Sequence, residues 1–303
     1  MTSQQSQQSE RTMEQLTYID GDVLPYKVGF ATQRTMYIGE MEGQHTCPSV
    51  FYLRSKAKVN KWVKRHPDLL VSEEFLVEDE HQAITTLQLN LNNIVQGCGN
   101  GKFRVVLSGE TNFRDEVATI QPYKGNREGS EKPKHWAMLR EWLAEKPYTI
   151  ITDNEEADDV ISRACMEGHI CATIDKDLLN TPGDHYNWNR KEGERRFYVT
   201  PEQATFNFYA QCLTGDDADH IPGIKGVGPA KAKKILADCT TPAEYEDAVL
   251  AAYDGVYPDP MQALIEIGQL LWMRRREDEM YYPIAAGGMR YGFSGLVTSN
   301  NQP

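Results

Sequence analysis

Long apolar runs are missing from this chain. Nothing in its 303 residues approaches the roughly 20 consecutive apolar positions of a membrane span, so no membrane partner is expected. The opening, MTSQQSQQSERTMEQ, has no apolar core and does not read as a secretory signal; it reads as a disordered tail. The six cysteines are scattered, with no CxxC pair. That argues against a disulfide framework or a zinc site, and for reduced thiols in the cytoplasm. A basic excess is also missing: the formal net charge is −12, unlike most nucleic-acid binders. This last absence decides little, because the charges are segregated. Acids gather at 153–159, 175–177 and 216–219, whereas 54–66 and 225–234 carry bases and no acid.

What is present is an alternation of strands and helices. Apolar runs at 16–19, 103–107, 148–152 and 170–174 read as buried strands, and 186–188 with 197–199 as a fifth strand and a hairpin partner. Helices are predicted at 23–34, 81–96, from about 133, at 153–166, 201–211, 245–253 and 261–276, the second from the apolar spacing Ile84, Leu87, Leu91, Ile94. Trp136, Leu139, Trp142 and Leu143 share one face and read as core. This order predicts a mostly parallel sheet flanked by helices. Residues 35–80 interrupt it. They offer a hairpin, Tyr37–Ile38 with Val50–Leu53, and a basic run, Arg54, Lys56, Lys58, Lys61, Lys64 and Arg65, around Trp62. That run is either a nucleic-acid contact or a solvated charged excursion.

Sites in parallel α/β sheets form at the C-terminal ends of the strands. The acids fall there: Asp20 and Asp22 after the first strand, Glu156, Asp158 and Asp159 after the third, Asp175 and Asp177 after the fourth. Acids in a first helical turn offset the helix dipole, but five between 153 and 159 exceed that need. Carboxylates without His or Cys select Mg²⁺ or Mn²⁺ over zinc. The loop QPYKGNR brings Tyr123, Lys124 and Arg127. Residues 213–236, LTGDDADHIPGIKGVGPAKAKKIL, join Asp216, Asp217 and Asp219 to Gly223, Gly226 and Gly228 and to Lys225, Lys231, Lys233 and Lys234. Close backbone approach at glycines, a helix start and lysines together suit a phosphate.

Taken in order, YIDGD, NFR…YKGNR, EADD, TIDKDLL and LTGDDADHIPGIKGVGPAKA resemble the 5′-nuclease family, the flap endonucleases and 5′–3′ exonucleases of bacteriophages and of bacterial DNA polymerase I, with the bacteriophage members most alike. The resemblance covers 16–236. It implies a PIN-like α/β catalytic domain at 16–205, a helical DNA-binding region with a helix–hairpin–helix at 206–290, and tails at 1–15 and 291–303. It implies one metal site at Asp20, Glu156, Asp158 and Asp159 and a second at Asp175, Asp177, Asp216 and Asp219. Asp22 and Asp217 have no firm counterpart in the family and rank below the others. Where many members carry an Asp after the second strand, this chain has Ser108-Gly109-Glu110, and Glu110 is the candidate substitute. Lys124 matches the lysine beside the scissile phosphate, with Arg127 steadying the phosphate, Tyr123 stacking on a base and Asp158 essential to cleavage. Gly223–Lys234 would hold duplex backbone around a K⁺ ion. Expected substrates are DNA with a 5′ end, nick or flap, in replication, primer removal or degradation. The alternatives are action on RNA–DNA hybrids and a non-catalytic DNA-structure binder.

Overall fold

The computed structural model describes residues 14–41, 49–53, 56–65, 69–127 and 129–286. The segments expected as tails lie mostly outside these. In chain order the elements are β1 (Thr17–Asp20), α1 (Val23–Ala31), β2 (Gln33–Met41), β3 (Ser49–Leu53), α2 (Lys56–Arg65), β4 (Leu69–Val77), α3 (Glu80–Cys98), β5 (Phe103–Leu107), α4 (Phe113–Val117), α5 (Trp136–Ala144), β6 (Thr149–Ile151), α6 (Ala157–Met166), β7 (Ile170–Ala172), β8 (Gly183–Tyr186), β9 (Arg196–Val199), α7 (Pro201–Thr214), α8 (Pro229–Ile235), α9 (Pro242–Tyr253) and α10 (Pro260–Leu271).

The main sheet has the order β6-β5-β1-β7-β8-β9. Its first five strands are parallel, and β9 closes the edge antiparallel to β8. Apolar runs form these strands because both faces are covered. On one face α1, α3 and α5 bury Leu24, Val28, Leu87, Leu91, Leu139 and Leu143 against Ile19 and Val105. On the other, α6 packs Ile161 and Cys165 against Val106 and Cys171. A separate core joins α7 to α10 through Phe208, Tyr209, Val249, Leu264 and Trp272. Among the described residues no helix is long and apolar enough to cross a membrane.

Local signals set several boundaries. Asp79 caps α3 by accepting from the Gln82 N–H at 2.8 Å, and Gly99, at φ 79°, ends it in the left-handed conformation a side chain would disfavour. Thr200 caps α7 and Pro201 opens it. The helix then runs unbroken past 205, so the domain boundary expected there falls inside α7. The first helix stops at Ala31, three residues short of expectation, because Gln33 already begins β2. The hairpin expected near 37–53 is there, with Tyr37 opposite Leu53 and Ile38 opposite Tyr52. It belongs to a three-stranded antiparallel sheet, β3-β2-β4, that stands apart from the main sheet and carries α2.

Candidate active site

Parallel strand direction decides the site. β1, β5, β6 and β7 all run the same way, so the segments leaving them meet at one edge. That edge forms a cleft of about 650 Å³, lined by Asp20, Asp22, Glu156, Asp158, Asp175 and Asp219 together with Lys124, Arg127 and Arg140. Tyr26 and Trp136 form another part of its wall, with ring centroids 5.6 Å apart. Trp136, expected in the core, therefore lines the cleft.

The carboxylates divide into two groups. Asp20 is buried, accepts from Thr173 Oγ1 at 2.8 Å, and is pushed up to about 7 by burial and by the Asp22 and Asp175 charges. Asp158 rises well above the carboxylate range through burial and the charges of Asp20 and Asp175. Asp177 is pushed up to about 8 by burial, Asp175 and Asp216. Burial first, and then mutual repulsion without enough cations to offset it, raises these pKa values; Asp177 and Asp216 stand outside the cleft lining. Among the described residues no three His, Cys, Asp or Glu side chains form a ready coordination set. The oxygen-only donors fit a hard divalent cation.

The second group is already neutralised. Asp159 receives two hydrogen bonds from Arg114, at 2.7 and 3.0 Å, and others from the backbone N–H groups of Arg274 (3.0 Å) and Glu156 (3.1 Å). Although buried, it is held below the carboxylate range by Arg114. Its oxygens are fully occupied inside the protein, so its expected place as a metal ligand is corrected: Asp159 is an anchor. Burial alone would raise Glu156, but Lys124 and Arg114 hold it below the carboxylate range. Asp216 lies low for a similar reason: burial is outweighed by Lys176, whose Nζ is 2.8 Å from Oδ2. Its Oδ1 accepts from the backbone N–H groups of Ala218 and Asp219, and Gln211 reaches both Asp216 and Asp177.

The loop at 122–127 is shaped by these acids. Lys124 sits at φ 53°, uncommon for a residue with a side chain, and its N–H donates to the Asp219 carbonyl at 2.8 Å. Its ammonium bonds Glu156 and lies 3.7 Å from Asp219. Arg127 bonds Asp219 and donates to the Ala218 carbonyl at 3.1 Å. Tyr123 corrects another expectation. It is buried, and its hydroxyl donates to Glu156 (3.0 Å) and Asp219 (2.9 Å), so its ring is not free to stack on a base. Glu110 is exposed and absent from the cleft wall, where Ser108 and Gly109 stand instead. Asp217 is exposed; Asp22 lines the cleft, accepting from the Ser108 N–H at 2.9 Å and pairing with Arg140 at 3.2 Å.

The hairpin glycines have different jobs. A Cβ on Gly223 would lie 2.1 Å from the Thr214 carbonyl oxygen, and one on Gly215 would lie 2.4 Å from Gly223 N. These two let the chain pack back on itself, an internal role rather than the phosphate contact expected of Gly223. Gly226, at φ 78°, and Gly228 face open space just before α8. Lys225, Lys231, Lys233 and Lys234 are all exposed around them.

Arg114 holds the acidic turn in place, and composition and spacing do not single it out. It is 0% exposed, its Nε donates to the Leu270 carbonyl at 2.9 Å and its Nη2 to the Trp272 carbonyl at 2.8 Å. One side chain thus ties the end of α10 to the acidic turn that opens α6. Its place in the NFR motif is the one signal in the sequence that points to it.

An acidic cleft thus lies at the edge of a parallel sheet, in a chain that also carries a glycine-lysine hairpin. No protein-family model matches the chain. The chain is similar to DNA polymerase I and to flap endonuclease Xni. It is 32% identical over 173 residues to DNA polymerase I of Bacillus caldotenax; the match covers 49% of this chain but only 18% of the polymerase. Flap endonuclease Xni of Vibrio atlanticus is 29% identical over 192 residues, covering 57% of this chain and 72% of that protein. A solved bacteriophage T5 5′-exonuclease with zinc bound aligns over 85% of this chain and 86% of its own at 13% identity and a TM-score of 0.48.

Proposed function

We propose that this chain is a divalent-metal-dependent 5′-nuclease that hydrolyses DNA phosphodiester bonds at a 5′ end, nick or flap. One observation carries the reading: Asp20, Asp158 and Asp175, from three strand ends, share a cleft with Lys124 and Arg127. Asp20, Asp158, Asp175 and Asp177 would hold Mg²⁺ or Mn²⁺, with Glu156 and Asp219 beside them and Asp216 ordering the loop. A bound ion supplies positive charge to the oxygens between which the phosphoryl group passes. The chain's own groups do the rest. Lys124 and Arg127, already aimed into the cleft, exchange a carboxylate for the substrate phosphate and offset its charge. Gly226 and Gly228 let backbone approach a strand closely, and Lys225, Lys231, Lys233 and Lys234 bind phosphates without reading sequence. K⁺ at the hairpin belongs to the same proposal. So does the division of labour in which the α/β part cleaves and α7–α10 grip the duplex.

The test is digestion of 5′-labelled flap, nicked and blunt duplexes with Mg²⁺, Mn²⁺ or EDTA. Cleavage that needs the metal is expected. No cleavage of any substrate in either metal would overturn the reading. Including an RNA–DNA hybrid measures substrate breadth in the same assay.

A further inference from the structure

The excursion between α1 and α3 plays no part in the chemistry of the cleft. Its helix α2 conflicts with its own electrostatics. Lys56, Lys58, Lys61, Lys64 and Arg65 are all exposed, and only Val59 is buried. The first turn has no acid and two lysines, which oppose the helix dipole, although Lys64 and Arg65 in the last turn suit it. Lys58 with Lys61, Lys61 with Lys64 and Lys61 with Arg65 place like charges three or four residues apart, where they repel. Among the described residues the only ion pair on this row is Lys56 with Glu73, at 4.0 Å, fully at the surface. A conflict of this kind within a chain of net charge −12 marks a surface whose counter-charge comes from a partner.

The root of the excursion shows where that partner lies. The cleft has two walls. Lys124, Arg127 and Asp219 form one, continuous with the hairpin through the Lys124 N–H bond to the Asp219 carbonyl. Tyr26 of α1 and Trp136 of α5 form the other. This second wall is fastened to the excursion: the Lys134 N–H donates to Gln33 Oε1 at 2.9 Å, and His135 Nε2 bonds the Glu78 carbonyl at 2.7 Å. β2 leaves directly from this root, and β4 returns to it. A strand gripped by the hairpin, crossing the carboxylates and passing Tyr26 and Trp136 would leave the cleft toward the excursion.

We infer that α2 is a second nucleic-acid clamp, one that holds the backbone phosphates of the single-stranded 5′ segment beyond the cleavage point. The inference rests on the nuclease reading and adds a partner surface to it. Helix α2 spans about 15 Å, room for a few phosphates, and the contact is sequence-independent.

The experiment compares wild type with the triple variant K58Q/K61Q/K64Q in EDTA, so that cleavage plays no part. Binding is measured by fluorescence anisotropy on a blunt duplex and on the same duplex with a 5′ oligonucleotide tail of about 15 nucleotides, across a salt series. Wild type should bind the tailed substrate more tightly, with a steeper dependence of log Kd on log salt. The triple variant should lose that gain, with the slope for the tailed substrate reduced by about 2, from about 0.7 for each of three phosphates. Its affinity for the blunt duplex should not change. The matching K58R/K61R/K64R variant should behave as wild type, which separates charge from folding. An unchanged gain in the triple variant overturns the clamp, as it would if α2 served an acidic protein partner. A wild-type protein that binds blunt duplex but gains nothing from the tail overturns the clamp and leaves the nuclease reading standing. Binding to neither overturns both.

Discussion

Asp158 and Asp159 are neighbours in one helical turn, and the structure treats them oppositely. Asp159 points inward to Arg114 and is held ionised below the carboxylate range. Asp158 faces the cleft among Asp20 and Asp175 and is pushed well above it. Asp159 is fully buried and Asp158 half-buried, so loss of solvent alone would not leave Asp159 the lower of the two. The difference is whether a cation has been built in. The protein supplies one at the Asp159 anchor and none at Asp158, where the proposed ion would sit. Cleft carboxylates therefore carry a stability cost in the metal-free protein, and the anchor is what keeps the edge assembled despite it.

The largest expected break comes from Asp158→Asn. It should keep DNA binding and lower cleavage with Mg²⁺ by at least about 100-fold, on the order of 3 kcal/mol or more in the barrier. It should also leave the metal-free fold as stable or more so, because it removes a repelling charge. Denaturation curves and a flap digest check both halves. Full activity would end the assignment of Asp158 to the site. Arg114→Met attacks the other member. Removing one partner of a buried pair should cost about 3–5 kcal/mol of unfolding free energy in a urea titration. Adding Asp159→Leu should recover much of that loss. Equal losses in the single and double variants would mean that Arg114 acts through the α10 carbonyls alone.

The contrast also predicts a pH dependence with a worked sign. Asp20 and Asp177 have folded values raised to about 7 and about 8. Their contribution is intact below about pH 4, where unfolded carboxylates protonate, and is lost as the pH rises through those raised values. Asp159, held low, contributes above that range, and its share is lost only as the pH falls below it. Metal-free protein should therefore lose stability between about pH 4 and pH 8, by up to about 1.4 kcal/mol per pH unit for each such proton. Millimolar Mg²⁺ should remove the loss. A Tm independent of pH over this interval, with and without Mg²⁺, would contradict the picture of uncompensated acids.

How much of this the sequence discloses depends on the range of the interaction. The parallel strands are legible because strands buried on both faces read as apolar runs, and the acids at their ends follow from strand direction. The hairpin of 37–53 is legible from its own residues. Asp159 is not, because its partner Arg114 is 45 residues away and the carbonyls that complete the pair are 156 and 158 residues from that arginine. No local pattern distinguishes it from Asp158. Tyr123 misleads for the same reason: an aromatic in a turn suits base stacking or burial, and Asp219, 96 residues on, decides for burial. Gly223 and Gly226 look alike in the motif, but only the fold shows that Gly223 packs against Thr214 while Gly226 faces outward.

The smallest effect is expected at the hairpin, where charge meets solvent. Lys231, Lys233 and Lys234 are exposed and contribute little to the fold, so K231E/K233E/K234E should leave Tm nearly unchanged. Their effect should appear only when DNA supplies the counter-charge. On duplex, each phosphate that a lysine neutralises adds about 0.9 to the slope of log K against log salt, so the variant should flatten that slope by up to about 3. It should weaken blunt and tailed substrates alike. That common response distinguishes the hairpin from α2, whose neutralisation should register on the tailed substrate alone. A salt slope that does not move would show that α8 presents its lysines to water. Asp158 and its neighbours would then be left to hold the DNA through bound ions and the cleft bases Lys124 and Arg127.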